Sequence, residues 1–250
     1  MFEKIEKLSF FKKLLYNQFG DAMFERLELI IGDKVEAIKN KSVLIIGLGG
    51  VGGYALEAIV RSGISKVIIV DYDIVDKTNL NRQILALNNT INLKKVDVAY
   101  DRIKAINPDC EVIKIDKLIK PDNIELLFEH NIDYLIDACD TVETKKQLIR
   151  ECVKRKIKII SSMGTGNKLN PSLLKITDIR KTSYDPLAKI IRKMVKDERI
   201  KDKIMVVSSI ETPIKTENNK IGSNAFVPAM AGLLCASYVI NDILGCDNDK

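Results

Sequence analysis

The sequence predicts an α/β fold, doubly wound around a mostly parallel sheet. Three observations predict it: short apolar runs rich in β-branched residues recur along the chain, segments of helical period lie between them, and no Gly/Ser-rich or Pro-rich linker breaks the series. Apolar residues at Phe10, Phe11, Leu14 and Leu15, and again at Leu27, Leu29, Ile30, Val35 and Ile38, read as helix across residues 1–40. The period then changes. Ser42 to Ile46 and Lys66 to Val70 are expected strands, followed by others at Glu111 to Ile115, Tyr134 to Ile136 and Ile157 to Ile160. Helices are expected between them at Tyr54 to Arg61, Lys95 to Ile106, Ile124 to Glu129 and Thr144 to Arg155. Beyond Thr165 the pattern loosens, leaving strands at Leu173 to Thr177 and Ile204 to Ser208 around a basic helix near Ala188 to Lys196. The uncharged stretch 225–240 is shorter than the about 20 apolar residues of a membrane span and contains Pro228, Ser237 and Tyr238. It reads as a buried helix or an oligomer interface.

The chain has 250 residues, 46% hydrophobic and 30% charged, which excludes disorder and disulfide-stapled miniproteins. Its net charge is +6, and residues 180–203 alone hold nine Lys and Arg against four Asp and Glu. Taken alone, such a segment is a solvated helix face, and it gains meaning only beside a site for an anion. Cys110, Cys139, Cys152, Cys235 and Cys246 form no CxxC pair, and His130 is the single histidine, so no zinc site is expected. The N-terminus lacks the features of a secretory signal, which with free thiols points to a reducing, cytoplasmic setting.

Gly47-Leu48-Gly49-Gly50-Val51-Gly52-Gly53 closes a strand and opens a helix. Such glycines let backbone N–H groups meet phosphate oxygens at the positive end of a helix, giving the fold a Rossmann-like nucleotide-binding half. Asp71 ends the next strand, where a carboxylate accepts from ribose hydroxyls. An NAD-dependent oxidoreductase is the default to this point. The following residues, Asp73, Asn79, Arg82, Gln83 and Lys95, shift the balance, because a triphosphate needs fixed cations and donors that hydride transfer does not. Asp140 and Thr141, just past the fourth strand, place an oxygen ligand where Mg²⁺ can bridge phosphates. A non-catalytic nucleotide-binding regulator or an oxidoreductase would leave Arg82, Lys95 and Asp140 without work.

GLGGVGG, DYDIVDKTNLNRQ, Lys95 and DACDT together resemble the adenylating superfamily of ThiF and MoeB proteins and ubiquitin-activating enzymes, over about Phe24 to Leu244. The resemblance implies an E1-like/ThiF fold that binds MgATP and attaches AMP to a carboxylate. It implies Gly47, Gly49, Gly50 and Gly52 at the phosphates, Asp71 and Asp73 by the ribose, Asn79, Arg82 and Gln83 along the nucleotide, Lys95 on the triphosphate, and Asp140 with Thr141 at magnesium. Phe24 to Gly32 is similar to the segment carrying the family's arginine finger, which implies a homodimer with Arg26 acting on the partner's site.

Within the superfamily, ISSMGTGNKLNP (Ile160 to Pro171) and DIRKTSYDPLA (Asp178 to Ala188) resemble the tRNA threonylcarbamoyladenosine dehydratase branch. That branch cyclises a threonylcarbamoyl group on an adenosine next to the anticodon. Its substrate carries a carboxylate and a carbamoyl nitrogen on one base, so AMP transfer followed by intramolecular closure, with effective molarities of about 10⁵ M or more, needs no protein nucleophile. The resemblance divides the chain into a helical segment with the arginine finger (1–40), an ATP-binding core (41–164) and a continuation bearing a tRNA surface and the apolar helix (165–250). Lys168, Arg180, Lys181, Lys189, Arg192 and Lys193 are the candidates for tRNA phosphates. A monovalent cation and a sulfur-relay protein are further partners the resemblance admits. The competing reading is an enzyme that activates the C-terminal carboxylate of a ubiquitin-like sulfur carrier.

Overall fold

A computed structural model describes residues 23–217 and 220–246. Phe10, Phe11, Leu14 and Leu15 lie outside the described residues. Residues 23–31 are helical (α1), followed by α2 (Val35–Lys39), β1 (Ser42–Ile46), α3 (Gly52–Arg61), β2 (Lys66–Val70), α4 (Lys95–Ile106) and β3 (Glu111–Ile115). β4 (Tyr134–Asp137), α5 (Val142–Arg155), β5 (Lys158–Ser162), β6 (Leu174–Asp178), α6 (Pro186–Asp197), β7 (Met205–Ser209) and α7 (Val227–Ile243) complete the order. Ile124–Phe128 forms a 3-10 turn where a helix was expected. Five residues without a side-chain cap are too few to repay helix nucleation.

One sheet of seven strands runs β3-β2-β1-β4-β5-β7-β6. All neighbours are parallel except β6 with β7, where Leu174 pairs with Ser209 and Asp178 with Met205. β1, the second half of β2, and β4 are wholly buried, as apolar runs covered by helices on both faces must be. Two cores result. Ile45, Leu56, Ile59 and Val239 mark the face covered by α3, α4 and α7, while Leu44, Leu135, Leu148 and Ile191 mark the face covered by α5 and α6. Beyond residue 164, β6 and β7 join the same sheet, and α6 and α7 pack on its two cores.

α7 packs closely on α3. A Cβ on Gly232 would lie 2.2 Å from the Val51 carbonyl oxygen, and one on Gly50 would lie 3.2 Å from Pro228. Asp185 caps α6, its carboxylate accepting from Ala188 N–H at 2.9 Å, with Pro186 in the first turn. On α1 and α2, Leu27, Ile31, Val35 and Ile38 pack inward, whereas Leu29 and Ile30 are 88% and 81% exposed. Among the described residues no helix is long and apolar enough to cross a membrane.

Candidate active site

The strand order reverses direction between β1 and β4, so the chain leaves the C-terminal ends of these strands toward opposite faces and opens a crevice. A cavity of about 540 Å³ fills it, within the range that holds small ligands. Gly47 begins one wall. Its φ of +86° suits glycine, and its N–H donates to the Val70 carbonyl at 2.8 Å. Leu48 N–H donates to the Asp71 carboxylate at 2.6 Å, fastening the glycine turn to the end of β2. α3 then starts with no side-chain cap; Gly53 N–H donates to the Gly49 carbonyl at 3.0 Å, and the remaining first-turn N–H groups face the end where an anion binds.

Opposite the glycines, a capping box around Asp76 and Asn79 shapes the segment after β2. The Arg82 guanidinium donates from Nη1 to the Thr78 carbonyl and to Asn81 Oδ1, each at 2.9 Å. Lys95 is 4% exposed, and its ammonium lies 2.8 Å from the Asp73 carboxylate. Gln83 is buried with its Oε1 unpartnered, an orphan acceptor in the cavity wall. Asp140 is exposed beyond β4 and has no ion pair among the described residues. The charge of Asp73, followed by burial and then by Asp140 and Asp71, pushes the Tyr72 phenol upward, so these carboxylates share one side of the cavity.

Gly47, Gly49, Gly50, Asp71, Asp73, Asn79, Arg82, Gln83, Lys95, Asp140 and Thr141 therefore line a single cavity. Gly52 stands behind it at the start of α3, and Arg26 is exposed on α1, outside the cavity of its own chain. The cavity also includes Thr165, which lies in the Ile160 to Pro171 motif, and Lys117 to Ile119, Thr144, Ser223 and Pro228, to which the sequence assigns no role at a nucleotide site. Only the strand order brings the ends of β3 and β5 and the segment before α7 to this mouth.

Under the floor, Asp137 and Lys145 form a fully buried ion pair of 2.7 Å, with Ser161 also donating to Asp137 and accepting from Lys145. Such a pair is kept only when its remaining polar atoms are satisfied, and it fixes the turn that carries Asp140. Cys139 Sγ lies 3.0 Å from the same carboxylate; burial first, then the Asp137 charge, pushes its thiol well above the usual range. Burial likewise raises Cys110 to about 11 and Cys235 to about 12, and it raises Cys152 further. These four thiols stay protonated at neutral pH and are poor nucleophiles.

The basic segment divides. Lys181, Lys189 and Lys193 are exposed and form no ion pair among the described residues. Arg180 is tied to Asp178 and to the carbonyls of Ile200 and Asp202, and Arg192 to Thr182. Lys168 corrects the expectation of a surface cation. Its side chain is 1% exposed, 2.9 Å from Asp185 and 2.6 Å from the Gly164 carbonyl, because the α6 cap needs a counter-charge where it is buried.

The ThiF family model matches residues 24–250. A Bacillus subtilis tRNA threonylcarbamoyladenosine dehydratase is 42% identical over 239 residues, covering 88% of this chain and 94% of that protein. Structures of the Escherichia coli tRNA N6-threonylcarbamoyladenosine dehydratase are also similar. The complex with ATP superposes with a TM-score of 0.84 at 31% identity, covering 90% of this chain and 94% of the other. The complex with AMP gives a TM-score of 0.82 at 32% identity, covering 87% and 92%.

Proposed function

The chain belongs to the ThiF family, and we propose that it is an ATP-dependent tRNA threonylcarbamoyladenosine dehydratase. One observation carries the reading: an uncapped helix start, the cations Arg82 and Lys95, and the unpaired carboxylate Asp140 meet in one cavity. Its similarity over nearly the full length of the Bacillus subtilis enzyme supports this substrate over a sulfur-carrier protein.

The N–H groups at the start of α3 hold phosphate oxygens, and Asp71, already oriented by Leu48 and Asp73, accepts from the ribose. Lys95 neutralises the triphosphate, with Asp73 keeping its ammonium aimed into the cavity. Among the described residues no three His, Cys, Asp or Glu side chains converge on a metal position. A lone carboxylate suits Mg²⁺, which takes its other oxygens from phosphates and water, and Asp140 is the residue that would hold it. When bound, Mg²⁺ offsets phosphate charge. The substrate carboxylate attacks the α-phosphorus, the P–O bond to pyrophosphate breaks, and Arg82 stabilises the charge that develops. Ring closure within the modified nucleoside then expels AMP. Arg26, exposed with Leu29 and Ile30 on α1, serves the partner's site in a homodimer.

Incubation with ATP, Mg²⁺ and tRNA carrying threonylcarbamoyladenosine is expected to release pyrophosphate and to lower the nucleoside mass by one water. Pyrophosphate release with a ubiquitin-like carrier but not with the tRNA would overturn this reading. Lys181, Lys189 and Lys193 bind tRNA phosphates in the same proposal. Changing all three to Ala is expected to flatten the slope of log Kd against log salt by about 0.7 to 1 per lysine in contact. An unchanged slope would remove these residues from the interface.

A further inference from the structure

We infer that Tyr184 is a stacking platform for an unpaired tRNA base beside the modified adenosine, an inference that rests on the function proposed above. Its backbone carries the first sign. Tyr184 sits at φ +60°, and a 2.8 Å hydrogen bond from Asp185 N–H to the Ser183 carbonyl closes a three-residue turn around it. Turns of this hand are rare and strained, and glycine would make the same turn without the strain.

The ring is not held by polar contacts among the described residues. Tyr184 is 67% exposed, and its side chain makes no hydrogen bond or cation contact among the described residues. Strained backbone positions cluster at ligand clamps and active sites, and this one carries an exposed aromatic ring. Unpaired RNA bases are recognised by stacking on exposed aromatic rings, while phosphates are held by cations close by. Lys181 and Lys189, both exposed, flank Tyr184 along the chain.

The mounting connects this ring to the chemistry. Asp185, the next residue, caps α6 with one carboxylate oxygen and takes the buried Lys168 ammonium on the other. The same ammonium donates to the Gly164 carbonyl, and Thr165, the residue after it, lines the nucleotide cavity. A buried ion pair thus joins the strained turn to the cavity wall and fixes the position of a base stacked on Tyr184 relative to the bound nucleotide.

The test compares Tyr184→Phe, Tyr184→Leu and Tyr184→Gly in the full chain by affinity for tRNA carrying threonylcarbamoyladenosine, affinity for ATP, and Tm. Phe should stay within about twofold of wild type for tRNA, while Leu and Gly should lose roughly 5- to 150-fold, the range for one stacked base. ATP affinity should not change, and Tm of the Gly variant should rise as the turn relaxes. A Leu variant that binds tRNA like wild type overturns the stacking role, and so does a Gly variant that loses Tm together with tRNA affinity. If wild type itself fails to bind this tRNA, the proposed function falls and the stacking role with it.

Discussion

Alanine at Arg82 is expected to slow AMP transfer by about 10²- to 10³-fold, the usual effect of removing one donor aimed at developing charge. The guanidinium is held in place by Thr78 and Asn81 through Nη1, which leaves its other N–H groups free for phosphoryl oxygens. Its Cγ lies only 3.4 Å from where a Gly50 Cβ would be, so the stem of the side chain crosses close to the glycine turn. These partners are at the protein surface, and Tm should hardly change. Arg82→Lys should recover part of the rate at most, since an ammonium cannot present the planar fork. Pyrophosphate release at saturating ATP is the measurement, and full activity in the alanine variant would count against the ATP site as a whole.

Gly52→Ala should cost both stability and nucleotide binding. The added Cβ would sit 1.7 Å from the Gly47 carbonyl oxygen, which is backbone and cannot swing aside. Gly47 is itself pinned, with a φ of +86° and its N–H bonded to Val70, so the strain passes into the turn that receives phosphate. A cost of about 3 kcal/mol, at the high end for overpacking, corresponds to a fall in Tm of roughly 6–12 °C for a chain of this size. Gly49→Ala is the control. Its Cβ would meet nothing nearer than Gln83 Nε2 at 3.9 Å, and Tm should be unchanged. Equal Tm and ATP affinity in the Gly52 variant and wild type would show that the turn relaxes freely.

The strands β1, β2 and β3 match their sequence expectation at both ends, and β4 and β5 fall within two residues of it. Buried parallel strands are continuous apolar runs, and their ends show where polar residues resume. The order that places β7 between β5 and β6 was not legible, because it depends on pairing between segments distant in sequence. The cavity residues legible beforehand sit on motifs beside strand ends. Lys117 and Ser223 do not, and they reach the cavity only through the fold. Lys168, in the Ile160 to Pro171 motif, reads as a surface cation flanking the basic segment. Its burial follows from Asp185, 17 residues further on, and no local pattern announces that.

The backing of the glycine turn bears on how the protein is made. Val51, in that turn, meets Gly232 of α7, the last described helix, while the turn itself follows β1, the first strand. The emerging polypeptide therefore carries the phosphate-gripping motif before the helix that backs it has been made.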